Sequence, residues 1–130
     1  MILLGANSEV AQAFVEHTLK AGEKFKTLYL LSSNPSTSEK FANHIYVKYL
    51  QHTQVIALDL TKEIDYKSLE SIESDVLFCA SGFLGLSTED GLYDDRNTEK
   101  VIDVNYARLV PVLNYFAKKM ESKRHGQMIV

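Results

Sequence analysis

A chain of 130 residues, 45% hydrophobic and 24% charged, has the size and composition of one globular domain able to bury a core. Its formal net charge is −3 and no stripe of Lys and Arg is present, which argues against nucleic acid as the main partner. No apolar run approaches the ~18 residues of a membrane span and no secretory pattern precedes Ile2, so no membrane span is expected.

Apolar runs alternate with stretches of helical period along the whole chain. Met1–Leu4 reads as a short buried strand. Ser8–Ala21 reads as a helix with Val10, Ala13, Phe14 and His17 on one face, Lys20 in its last turn and Gly22 placed for a left-handed cap. Thr27–Leu31 is a second strand. Ser36 with Glu39 three residues on has the form of a capping box, after which Phe41, Ile45 and Tyr49 recur at helical spacing. Gln54–Leu58 is a third strand, Asp65–Ile72 a short helix and Asp75–Ala80 a fourth strand. Residues 82–97, with Gly82, Gly85 and Gly91 among charges, read as a loop. The longest helix is expected over Thr98–Ser122, with an apolar seam of Ile102, Tyr106, Leu109, Leu113, Phe116 and Met120 that Pro111 should bend. Gln127–Val130 closes the chain as a fifth strand.

Strict β-α alternation predicts an α/β fold, a doubly wound parallel sheet in three layers (αβα). Right-handed crossovers put the first strand at the centre, in the order 3-2-1-4-5. Ligands of such sheets bind at the carboxyl ends of the strands, where the opening loop lies. The chain ends inside an apolar strand that would become an uncovered edge, so a fragment truncated after the fifth strand is expected. Cys79 has no partner for an intrachain disulfide, which makes a reducing, cytoplasmic setting the expectation. His17, His44, His52 and His125 lack ligand spacing, so no metal site is expected.

Four stretches, in order and spacing, resemble the short-chain dehydrogenase/reductase family. Gly5-Ala6-Asn7-Ser8-Glu9-Val10-Ala11 is similar to its TGxxxGxG turn, and Asp59-Leu60-Thr61 to the acidic strand end used against adenine. Cys79-Ala80-Ser81-Gly82 stands in the place of NNAG, and Asn105 in that of the Asn of an Asn-Ser-Tyr-Lys tetrad. Glu9 and Ala11 replace two glycines, and Cys79 and Ala80 two asparagines. A branch reading roughly GATSDIA and AAGxLG departs similarly, and Gly82-Phe83-Leu84-Gly85 fits it. That branch includes reductases of keto-sugars carried on polyprenyl phosphate.

The resemblance implies a Rossmann-type dinucleotide-binding domain over residues 1–130 and an oxidoreductase that reduces a carbonyl or oxidises an alcohol by hydride transfer. It implies cofactor contacts from Gly5, Asn7, Ser8, Glu9 and Val10, from Ser32, Ser33 and Asn34, from Asp59 and Leu60, and from Cys79, Ala80, Ser81 and Gly82. It gives Asn105 a catalytic role, holding a water that links the catalytic Lys to solvent. Ordinary helix–helix hydrogen bonding is the other reading of Asn105, and capping of the loop after its strand the other reading of Asp59.

Glu9 gains about 0.3–1 kcal/mol from the helix dipole, against a repulsion of order 1–3 kcal/mol from a pyrophosphate charge roughly 6 Å away. Ser32–Asn34 offer hydroxyls and an amide but no acid for a ribose 2′-hydroxyl, which favours NADP and leaves NAD possible. Cys79 reads as a small buried hydrophobe. Tyr115 and Lys119 spell the family's YxxxK, but on the wrong helix, and are read as surface neighbours. The catalytic Ser and Tyr-x-x-x-Lys are therefore missing, and residues 1–130 alone are expected to be inactive. Family members commonly dimerise through the helix 98–122, so a homo-oligomer is implied. The rival reading is a non-catalytic dinucleotide-sensing or interaction module. A methyltransferase-like domain fits less well, because no acid ends the second strand.

Overall fold

Five parallel strands, β1 (Ile2–Leu4), β2 (Leu28–Ser32), β3 (Thr53–Ala57), β4 (Val76–Cys79) and β5 (Gln127–Ile129), form one sheet in the expected order β3-β2-β1-β4-β5. The structure, a computed structural model, describes residues 1–86 and 94–130. Gly91, assigned above to a loop, lies outside them. In β1, Leu3 pairs with Leu30 of β2 and with Phe78 of β4. All three β1 residues are buried because helices cover both faces of the sheet's centre.

Alternate side chains divide between two cores. Leu3, Leu28 and Leu30 pack under α1 (Glu9–Lys20) and α2 (Pro35–Tyr49). Ile2, Leu4, Leu31 and Leu77 pack on the other face, with Val104, Val112, Phe116 and Met120. Three layers follow from this division, and the strand order is the one that right-handed β-α-β crossovers produce. Among the described residues no helix is long and apolar enough to cross a membrane.

The expected face of α1 is out of phase. Ala11, Val15 and Leu19 are its buried stripe, while Ala13 and His17 are exposed and Val10 is 67% exposed. Phe14 lies at the edge of the stripe and stacks on Phe78 with ring centres 4.3 Å apart. Ala11 lets the helix sit close to the sheet, and so small a side chain adds little to an apolar pattern.

The cap of α2 is also corrected. Asn34, not Ser36, is the N-cap: its Oδ1 accepts from the Thr37 N–H and from the Ser36 hydroxyl, and Pro35 fills the first helical position. The short helix expected over Asp65–Ile72 is a single 3₁₀ turn, Tyr66–Leu69, capped by the Asp65 carboxylate.

The long helix is divided. α3 (Asp95–Ile102) runs into a π-helical turn (Asp103–Ala107), followed by α4 (Leu109–Lys123). The Arg108 N–H donates to the Asp103 carbonyl five residues back, at 3.0 Å. Pro111 crowds the carbonyl four residues before it, that of Ala107, so the helix widens one turn upstream of the proline. The wide turn shifts the phase of the seam. Leu109, Phe116 and Met120 are buried as expected, but Ile102 is 53% and Tyr106 69% exposed, and Val104 enters the core instead.

Leu50 closes α2 at φ 53° and ψ 32°, left-handed for a residue that is 73% exposed. A side chain costs about 1–2 kcal/mol in this conformation, whereas glycine adds back roughly 0.5–1 kcal/mol of chain entropy. Leu50→Gly is therefore expected to raise stability by about 0.5–1 kcal/mol. Urea denaturation checks this, and a lower midpoint would refute it.

Candidate functional site

The turn from β1 into α1 is held by β2. The Gly5 and Ala6 N–H groups both donate to the Leu31 carbonyl, at 2.9 and 3.1 Å. Gly5 has φ +84°, and a Cβ there would stand 2.6 Å from Ser81 N and 2.8 Å from the Ala80 carbonyl. Glycine is thus required by the approach of the segment after β4, with or without a ligand. The Ser8 N–H donates to the Gly5 carbonyl at 2.9 Å, and the Ser8 side chain makes no capping hydrogen bond to α1. The first-turn N–H groups of α1 therefore have no side-chain acceptor at this cap, a feature suited to an anion.

Asn7 fastens this turn to the neighbouring β-α unit. Its Nδ2 donates to the Asn34 carbonyl at 3.0 Å and its Oδ1 accepts from the Ser38 hydroxyl at 2.8 Å. Since the Ser38 proton goes to Asn7, the buried Ser32 hydroxyl is the donor in its 2.6 Å contact with Ser38 Oγ. Ser38 gave no motif signal in the sequence. It is one small polar residue on the buried face of α2.

After β3, Asp59 Oδ1 accepts from the Thr61 hydroxyl at 2.7 Å and the Thr61 N–H at 2.9 Å, while Oδ2 lies 3.5 Å from Lys62 Nζ. The Thr61 hydroxyl, with the Thr61 N–H and Lys62, holds the Asp59 carboxyl below its ordinary value despite partial burial. A lowered folded-state value means stability present above the ordinary carboxylate value of about 3.9 and lost as pH falls through the folded one. The stability gap between wild type and Asp59→Asn is therefore expected to narrow on acidification. Urea denaturation across the carboxylate range checks this, and parallel pH profiles would refute it.

The segment after β4 is held by α3 and the π turn. Asn105 Oδ1 accepts from the Phe83 N–H and Nδ2 donates to the Phe83 carbonyl, both at 2.8 Å. Asn97 Oδ1 accepts from the Leu86 N–H at 3.0 Å. Between them, a Cβ on Gly85 would stand 3.0 Å from Val101 Cγ2. Lys100 places its ammonium 4.4 Å from the centre of the Phe83 ring. Cys79 is half-buried, and burial pushes its thiol up, against a nucleophilic role.

These segments enclose a cleft of ≈ 480 Å³ at the carboxyl ends of β1 to β4. Of the residues singled out in the sequence, Gly5, Asn7, Ser8, Ser32, Ser33, Asp59, Leu60, Ala80, Ser81 and Gly82 line it. Glu9, Val10, Asn34, Cys79 and Asn105 do not. Glu9 and Val10 are exposed in the first turn of α1, where only their N–H groups could serve the cleft. Asn34 and Asn105 stand behind the wall and fix Asn7 and Phe83. Leu4, Leu31, Leu58, Phe83 and Val104 add apolar surface, and Thr61 and Lys100 polar groups. Phe83 was within a quoted motif. Lys100 carried no signal beyond standing five residues before Asn105.

Tyr115 and Lys119 are at the other end of the sheet. Lys119 Nζ donates to the Glu70 and Ile72 carbonyls, each at 2.7 Å, and Tyr115 packs on Tyr66. They tie α4 to the chain entering β4, which is a tighter role than that of surface neighbours.

No family model matches the chain and no curated protein matches its sequence. Solved structures do. A short-chain dehydrogenase from Sphingobium yanoikuyae in complex with NADPH is 16% identical with a TM-score of 0.80, over 98% of this chain and 51% of that one. A 3-oxoacyl-[acyl-carrier protein] reductase with bound NAD from Brucella melitensis is 16% identical with a TM-score of 0.75, over 98% and 50%. NAD⁺-bound xylitol dehydrogenase is 20% identical with a TM-score of 0.80, again over 98% and 50%. The chain shares their fold and spans about half their length.

Proposed function

We propose that this chain is the dinucleotide-binding portion of a short-chain dehydrogenase/reductase, and that its cleft takes NADP(H). The observation that carries the reading is the convergence, on one cleft, of the Gly5 turn, the end of β2, Asp59-Leu60 and Ser81-Gly82. The cofactor's pyrophosphate would lie at the start of α1, and its adenine against the apolar wall of Leu60, Phe83 and Val104. Ser33 and its neighbours would meet the adenosine ribose, where an acid suited to NAD is absent. Fold analogues hold NADPH in one case and NAD in others, in keeping with a nicotinamide dinucleotide of either kind.

When bound, such a cofactor supplies hydride chemistry at a carbonyl or alcohol. The chain's own residues bind and orient it: Asn105 holds the Phe83 wall, and Asp59 fixes the turn beneath the adenine site. Among the described residues the cleft lining contains no Tyr, and Tyr115 and Lys119 lie outside that lining, in keeping with residues 1–130 alone binding without turnover. The same reading carries a homo-oligomer through the helix 98–122, where the exposure of Ile102 and Tyr106 supports it, and a cytoplasmic setting.

Calorimetric titration of the chain with NADPH and NADH tests the reading. Binding of both, tighter for NADPH, is expected; no binding of either overturns it. One observation favours a second reading, a non-catalytic dinucleotide-sensing module. Both polar atoms of the Asn105 amide are engaged by Phe83, and Asn105 is not among the residues lining the cleft, which suits a structural clamp. A Ser followed by Tyr-x-x-x-Lys in a continuation of the reading frame would favour the enzyme.

A further inference from the structure

Among the described residues two charged side chains line the cleft, Asp59 and Lys100. Asp59 is satisfied from its own segment, by Thr61 and Lys62. Lys100 is not. Among the described residues its ammonium has no carboxylate partner, and it stands over the face of Phe83, 4.4 Å from the ring centre. A ring face attracts a cation but leaves its hydrogen-bond donors free for an anion. Around the same cleft lie further donors, the Ser8 and Ser33 side chains and the first turn of α1. Several neutral donors and one unpaired cation suit a phosphate. The cleft volume of ≈ 480 Å³ corresponds to a space of about 8 Å on a side, which a lysine's four-carbon stem reaches into from the rim.

We infer that Lys100 is the cation that recognises a phosphate of the bound nucleotide, and so sets which nucleotide the cleft prefers. This rests on the dinucleotide reading above. Phe83 holds the ammonium at the rim, and Asn105 holds Phe83. A specificity determinant on α3 is therefore coupled to the clamp at the π turn. The phosphate is either the ribose 2′-phosphate or the pyrophosphate, and the two differ in experiment.

The test is calorimetric titration of wild type, Lys100→Gln and Lys100→Arg with NADPH and with NADH at low ionic strength. Lys100 is exposed on a formed helix, so the variants are expected to fold, as circular dichroism would record. Lys100→Gln should lose about tenfold in NADPH affinity, Lys100→Arg should keep it, and added salt should narrow the difference. A loss confined to NADPH identifies the 2′-phosphate. An equal loss for NADH identifies the pyrophosphate. Affinities of Lys100→Gln within about twofold of wild type for both ligands overturn the inference, as does an equal loss in Lys100→Arg. A wild type that binds neither ligand is a different failure, that of the dinucleotide reading itself, and Lys100 falls with it.

Discussion

Gly5→Ala is expected to destabilise the fold by about 2–4 kcal/mol. Two costs add. A non-glycine residue at φ +84° carries roughly 1–2 kcal/mol of backbone strain. The new methyl would also stand 2.6 Å from Ser81 N and 2.8 Å from the Ala80 carbonyl carbon and oxygen, and these are backbone atoms that no rotamer can move aside. Overpacking of this kind costs about 1–3 kcal/mol, and the stiffer unfolded chain returns only about 0.4–1 kcal/mol. The turn cannot swing away, because the Gly5 and Ala6 N–H groups both hang from the Leu31 carbonyl. Gly22→Ala supplies the comparison: its φ is +95°, but nothing lies within 4 Å of the added carbon. Urea denaturation should show the larger loss at Gly5. Equal losses would mean that the contact with Ala80 and Ser81 contributes nothing. The glycine that best suggests a phosphate loop is therefore first a packing residue, and a binding defect in Gly5→Ala would say little about the ligand.

The sheet order was legible because apolar strands alternate with helical stretches, the 3₁₀ turn between β3 and β4 being the one short connection, and because β1 carries three apolar residues that only a central strand can bury. Phase was harder to read. In α1 the closest contact is made by Ala11, so the neighbouring Val10 and Phe14 dominate any apolar pattern without facing the core squarely. In the long helix, a π turn changes the phase by one residue and leaves no mark in composition. Ile102 and Tyr106 fit the seam on paper, and Val104 fits it in space. Pro111 did signal an irregularity, but its effect falls one turn upstream, on the carbonyl that it crowds. The cleft was legible where backbone turns form it, at Gly5, Asp59 and Gly82. Side chains reaching in from α3 were not, because the place of Lys100 depends on the pairing of Asn105 with a residue 22 positions away.

Asn105→Ala is expected to cost about 1–3 kcal/mol, from two hydrogen bonds worth about 0.5–1.5 kcal/mol each, and to weaken nucleotide binding as well. The Asn105 amide meets the Phe83 backbone on both sides, accepting from its N–H and donating to its carbonyl. With the clamp removed, the Asn97 bond to Leu86 and the Lys100 contact with the Phe83 ring remain among the described residues, but neither holds the Phe83 backbone. The Phe83 amide should then exchange with solvent faster, as hydrogen exchange would record. Asn105→Asp is the sharper variant. It retains an acceptor for the Phe83 N–H but turns a carboxylate toward the Phe83 carbonyl, so a near-isostere should release the segment nearly as fully as alanine. If Asn105 acted only through its own contact with a ligand, both variants would weaken binding and leave Phe83 exchange untouched. If it acts as a clamp, exchange and affinity change together, and charge selectivity at Lys100 fades with them because the Phe83 ring no longer fixes the ammonium at the rim.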